Sequence, residues 1–88
     1  MDFIFSKHAE EQMLRRNISK EAATVVVSHP EQKIIDSENP DITVFQSLIK
    51  EDGQTFLLRA FVNRNRQPNV VVTIYKTTKI YKYYEGKI

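Results

Sequence analysis

The 88 residues include no cysteine, which excludes a disulfide framework and thiolate metal sites, and a chain this short buries about 60% of its unfolded surface in one modest core. At 41% hydrophobic and 27% charged it reads as one globular domain, residues 1–88, rather than a disordered segment. No apolar run approaches the ~20 residues of a membrane span, and MDFIFSKHAEEQ turns polar before a signal-peptide core forms, so the expectation is a cytoplasmic protein with no membrane partner.

The net charge of +2 is unevenly spread. Residues 1–50 carry six Lys/Arg against eight Asp/Glu, and residues 51–88 carry seven against three. The basic C-terminal part is a candidate surface for a polyanion. The plainer alternative is a solvated sheet edge whose lysines discourage aggregation.

In chain order, Phe3 to Phe5 is a short extended lead-in. Ser6 is placed to cap a helix over Lys7–Arg16, with Ala9 and Met13 on its buried stripe and Leu14 at the margin. Asn17 suits the C-terminal turn. Ser19 caps a second helix from Lys20 to about His29, on which Ala22, Val25, Val26 and His29 share a face, and Pro30 stops it. The period then changes to two. Strands are expected at 31–36, 42–50, 55–63 and 70–77, with turn chemistry at 37–41, a hairpin at EDGQ using Gly53, and a longer loop at 64–69. TKIYKYYEGKI ends the chain as a short strand or helical turn. The expected architecture is α+β, with two N-terminal helices packed on one face of a four-stranded, mainly antiparallel sheet.

Alternation sorts the two sheet faces. Phe56, Leu58, Ala60 and Val62, with Val70, Val72 and Ile74, are expected toward the helices. Leu57, Arg59, Phe61 and Asn63, with Val71, Thr73, Tyr75 and Thr77, face the other way. Arg59 stands in the middle of a strong strand, so it is either paired with a carboxylate or kept for an anionic ligand. Behind it, YKTTKIYKYYEGK interleaves Tyr75, Lys76, Lys79, Tyr81, Lys82, Tyr83, Tyr84 and Lys87. Cations meet phosphates and aromatic rings stack on bases; the same tyrosines also suit half-buried edge packing.

His8 opens the first helix. At about 100° per residue Arg15 projects within about 20° of it and Gln12 within about 40°. The helix dipole favours a neutral imidazole there, able to act as a base or a donor; the plain alternative is a packing histidine at the helix–sheet junction. Two distant histidines without nearby carboxylate spacing make no metal motif, and two glycines make no phosphate loop. No metal and no cofactor are expected.

These residues also carry a family resemblance. F-S-K-H-A-x-x-Q-M at 5–13, R-x-I-S at 16–19, the helix ending in H-P, F-Q-S-L-I at 45–49, L-R-A-F-V-N at 58–63 and V-T-I-Y-K-T-T-K-I-x-K-Y at 72–83 resemble a family of small bacterial proteins of unknown function. Its members look like distant relatives of the RelE, ParE and BrnT toxins of toxin–antitoxin modules. The resemblance implies a RelE/ParE-like ribonuclease fold and a metal-independent endoribonuclease that cleaves mRNA, ribosome-bound or free, and is neutralised by a cognate antitoxin. RNA supplies the 2′-OH nucleophile, while protein groups move protons and stabilise the phosphorane. On that implication Arg59 and Lys79 hold the phosphate, His8 is the general base or acid, and Tyr75 or Tyr83 orients or stacks a base. The catalytic set is then His8, Arg59, Lys79 and Tyr83, and the RNA-binding set Arg15, Asn63, Tyr75, Lys76, Thr77 and Lys82. The acidic residue that some relatives use as base has no clear counterpart here. Two other readings stand beside the toxin: a catalytically silent module binding nucleic acid or protein through the same face, and a ParE-like gyrase inhibitor.

Overall fold

The computed structural model describes residues 2–86. Its elements in chain order are β1 (Phe3–Phe5), α1 (Lys7–Arg15), α2 (Lys20–Ser28), β2 (Gln32–Ile35), β3 (Ile42–Glu51), β4 (Gln54–Asn63), β5 (Asn69–Thr77) and α3 (Ile80–Tyr83). The strands form one mixed sheet in the order β1-β5-β4-β3-β2. Only the β1–β5 pair is parallel; the others are antiparallel. The α+β class stands, but the expected four-stranded sheet with two N-terminal helices does not, and with it goes the RelE/ParE-like architecture. Phe3–Phe5 is a fifth strand, pairing with Asn69–Val71, and the C-terminal part adds a third helix. Three residues are too few to display a period, and their partner strand lies near the other end of the chain, so local pattern shows only an extended segment.

Capping explains where the helices start and stop. The Ser6 hydroxyl accepts from Ala9 N at 3.0 Å, and the Ser19 hydroxyl accepts from Ala22 N at 3.0 Å, each satisfying an otherwise free amide of the first turn. Between the helices Asn17 takes a left-handed φ of 55°. Asn17 N then donates to Leu14 O and Ile18 N to Met13 O, a Schellman arrangement that brings Ile18 down onto Met13 in the core. In the β3–β4 hairpin Asp52 and Gly53 are both at positive φ, as a two-residue type I′ turn requires. This fixes the register from Glu51↔Gln54 to Ile42↔Asn63.

Both long helices cover the same face. Ala9 and Met13 of α1, and Ala23, Val26 and Val27 of α2, pack with Phe45, Leu58, Ala60, Val62, Val71 and Ile74. The buried stripe of α2 is therefore Ala23-Val26-Val27 with Ala22 beside it, not the face shared by Val25 and His29. Val25 is 54% exposed and His29 is exposed. Three consecutive valines offer two equally apolar faces, so periodicity alone does not choose between them. Leu14, expected at the margin, is 86% exposed.

The face assignment on β5 also needs correction. Phe61 pairs with Thr73 but Val62 pairs with Val71, so Val72 is an extra residue in β5. This bulge reverses the alternation, and Val71 joins Ile74 in the core in place of Val70 and Val72. Ser6 closes the irregularity: its hydroxyl donates to Val72 O at 3.0 Å and its amide to Val71 O at 2.9 Å. Among the described residues no helix is long and apolar enough to cross a membrane.

Ser6 thus caps α1 and supplies a partner to the bulged strand. Ser6→Ala is expected to cost about 1–2 kcal/mol, read from urea denaturation, against a change within about 0.5 kcal/mol for Ile35→Ala on the exposed edge.

Candidate functional site

On the sheet face away from α1 and α2, register places one residue from each of four adjacent strands in a row: Gln32, Gln46, Arg59 and Tyr75. Arg59 is the centre of it. Its Nε donates to Gln46 Oε1 at 2.9 Å and its Nη1 to the Tyr75 hydroxyl at 2.7 Å. Gln46, fully buried, turns its amide nitrogen toward Gln32 Oε1 at 2.7 Å and Tyr83 O at 3.1 Å. Aromatic faces complete the surroundings. The Tyr83 ring centre lies 4.2 Å from the guanidinium carbon, that of Phe61 5.3 Å and that of Tyr75 5.8 Å. Phe61 and Tyr75 stack on each other at 5.9 Å.

Arg59 is 8% exposed, and none of these partners is an anion. Among the described residues the one ion pair is Lys76–Glu51 at 2.6 Å, which leaves Arg59 out. A buried cation is expensive unless paired or well hydrogen-bonded. Here neutral oxygens and ring quadrupoles moderate that cost without cancelling the charge. Two of a guanidinium's five N–H donors are engaged by these side chains. The arrangement suits an incoming anion, with planar rings beside it for a planar ligand group.

The tyrosines of this region differ from one another. The ammonium of Lys82 holds the Tyr83 phenol below its usual value, with smaller help from the Tyr75 hydroxyl and Arg59 and against a loss of hydration. Burial pushes Tyr84 the other way, reinforced by the Glu31 carboxylate that its hydroxyl faces.

Of the residues singled out from the sequence, Arg59, Tyr75 and Tyr83 are brought together. Lys82 stands at the rim with its Nζ 5.3 Å from the Tyr83 ring centre. Thr77 is one alternation further along β5, and its hydroxyl accepts from Lys79 N at 3.0 Å in the connection to α3. Lys79 itself is exposed. Asn63 lies at the far end of β4, where its side chain accepts from Asn65 N. Lys76 belongs to the helix-bearing face, where it meets Glu51, the Asn17 carbonyl and the Phe56 ring. His8 and Arg15 are exposed on α1, so the sheet stands between them and Arg59. Gln32 and Gln46 are functional candidates that sequence reasoning missed. The available signal was a glutamine in the middle of ITVFQSLIK, an otherwise apolar strand. Among the described residues no three His, Asp or Glu side chains converge to hold a metal ion.

Fold and site together define a small α+β domain built around an aromatic-flanked arginine on a sheet face, without an anionic partner among the described residues. The chain belongs to the family described as a domain of unknown function, DUF4258, whose sequence pattern matches residues 5–76. No curated protein and no solved structure matches it significantly. The matched segment contains Gln32, Gln46, Arg59 and Tyr75; Tyr83 lies beyond it.

An ultraviolet titration of tyrosinate is expected to show Tyr83 ionising below the ordinary phenol value near ~10 and Tyr84 above it. Lys82→Ala moves the early step upward, and Tyr83→Phe removes it. For stability the signs are opposite. Tyr83, lowered in the fold, adds stability only as pH rises through its folded value. Tyr84, raised in the fold, contributes fully below the ordinary value and loses that contribution as pH climbs. At neutral pH, Gln46→Leu strands the Arg59 Nε–H and is expected to destabilise by about 1–3 kcal/mol, which Arg59→Met in the same chain partly restores.

Proposed function

We propose that this protein acts on RNA as the toxin component of a toxin–antitoxin pair, an endoribonuclease that binds the scissile phosphate at Arg59. The observation that carries this reading is the buried arginine with neutral partners only, set among Phe61, Tyr75 and Tyr83. Single-stranded RNA offers the two things such a site lacks, a phosphate charge and an unstacked base. The basic lean of residues 51–88 adds attraction for the backbone. The likeness of this family's members to RelE, ParE and BrnT toxins, which rests on polar positions and not on the sheet architecture, is the ground for the toxin role.

The chemistry uses Arg59 and Tyr75, which are in contact. A water molecule takes the proton of the 2′-OH. The 2′ oxygen bonds to phosphorus as the P–O5′ bond breaks. Arg59 stabilises the extra negative charge of the phosphorane. The leaving 5′ oxygen takes a proton from the Tyr75 hydroxyl, which the Arg59 Nη1–H polarises. The products are a 2′,3′-cyclic phosphate and a 5′-hydroxyl end. His8, across the sheet, has no part in this step. An antitoxin would act by covering the same face.

The position of His8 also supports a second reading, a catalytically silent RNA-binding module, because among the described residues no histidine or carboxylate accompanies Arg59. Induced expression in bacteria separates the readings, with growth and total mRNA integrity followed together. The expected result is arrest with mRNA loss for the wild type and for His8→Ala, and relief by Arg59→Lys and Tyr75→Phe. Normal growth with intact mRNA, with folded protein confirmed, transfers the assignment to the silent module. Arrest with intact mRNA points instead to a contact inhibitor of the gyrase-binding kind.

A further inference from the structure

The site just described is covered by the chain's own C-terminal segment. After Thr77 the backbone turns at Thr78–Ile80, makes the single turn of α3, and returns over the Gln32–Gln46–Arg59–Tyr75 row. Its attachments are few and polar. Gln46 Nε2 donates to Tyr83 O at 3.1 Å. Gln32 brackets Glu85 through both ends of its amide, Nε2 donating to Glu85 O at 2.6 Å and Oε1 accepting from Glu85 N at 3.1 Å. The Tyr84 hydroxyl meets Glu31 Oε1 only at 3.4 Å. No residue of α3 is buried, and Tyr81 is 88% exposed. The family-matched segment ends at residue 76, before this segment begins.

Three of these attachments end on backbone groups, and the closest aromatic contact is the Tyr83 ring on the guanidinium, 4.2 Å away. A phenol ring and a nucleobase present the same kind of π face to an arginine. We infer that residues 79–85 form a displaceable strap, in which Tyr83 occupies the stacking position on Arg59 that an RNA base takes when the strap lifts. The inference rests on the RNA reading given above and adds its regulation: RNA and strap compete for one arginine.

The competition has a definite arithmetic. RNA affinity is reduced by the fraction of molecules in which the strap is open. Loosening the strap therefore tightens RNA binding even though a contact has been removed. No residue of α3 is fully buried, so closure rests on the Tyr83 ring contact with Arg59 and a small number of hydrogen bonds, each of modest net worth in water. The same release frees the amides of Gln32 and Gln46, which then face the ligand.

Two variants loosen the strap from opposite sides. Gln32→Ala removes the amide bracket from the sheet. Glu85→Pro removes the N–H donor from the strap itself and leaves the sheet untouched; Glu85→Gln is its charge-matched control. Binding of a short, labelled, single-stranded RNA of mixed sequence is measured for each, after circular dichroism has confirmed cooperative unfolding. Amide exchange at Tyr84 is followed in the wild type with and without RNA. The expected result is about tenfold tighter binding for Gln32→Ala and Glu85→Pro, equivalent to one or two net hydrogen bonds. Glu85→Gln changes affinity by less than about twofold, and the Tyr84 amide exchanges faster when RNA is added. Unchanged or weaker binding in both variants, or slower exchange at Tyr84 in the complex, overturns the strap while leaving Arg59 as the RNA contact. Equal RNA affinity for the wild type and Arg59→Lys overturns the RNA reading itself, and the strap inference with it.

Discussion

A guanidinium that is 8% exposed and, among the described residues, has no carboxylate beside it imposes the order of one whole sheet face. Each engaged N–H needs an oxygen at hydrogen-bond distance, and each of those oxygens belongs to a group with demands of its own. Gln46 gives its oxygen to Arg59 and so must place its nitrogen elsewhere, on Gln32 and Tyr83. Gln32 then completes itself on Glu85. No buried side-chain nitrogen or oxygen among the described residues lacks a partner. The network spans four strands and the C-terminal segment because of one charge.

Glutamine suits this role better than glutamate would. A carboxylate at position 46 would neutralise Arg59 and give a stable internal pair, but the charge would then be spent inside the protein. An amide satisfies the geometry and leaves the electrostatic field in place. The rings act similarly, since they attract a cation through their faces without carrying charge. The opposite solution appears on the helix-bearing face, where Lys76 meets Glu51 directly and ties the β3–β4 hairpin to the loop after α1. Two cations one residue apart in the β4–β5 register are thus treated differently according to the face they occupy.

Much of the fold was legible because its signals are local. Ser6, Ser19 and the Asp52-Gly53 pair act within a few residues of themselves, and all three stand where the sequence put them. The strands β2 to β5 likewise lie close to their expected bounds. What escaped was non-local. The β1–β5 pairing, the Val72 bulge and the return of the C-terminal segment each depend on residues far apart in sequence. For the site, a lone arginine in a strong strand was visible, whereas its glutamine neighbours emerge only from register, which no single strand encodes. The angle between His8 and Arg15 on a helix was calculable, but an angle about one axis does not say which side of a sheet that helix covers.

The parallel pairing of β1 with β5 has a consequence for how the molecule is made. The Ser6 side chain and its acceptor at Val72 are 66 positions apart, and β1 finds its neighbour only in Asn69–Val71. On a ribosome, the N-terminal strand and α1 emerge long before that neighbour exists. The β3–β4 hairpin, whose pairs are close in sequence, is free to zip first, and the sheet then grows toward β5. Only after β5 has left the exit tunnel can β1 dock and Ser6 fasten the bulge. The strand β1 is therefore among the last to be fixed, and the Phe3 and Phe5 side chains stay unsheltered until β5 is in place.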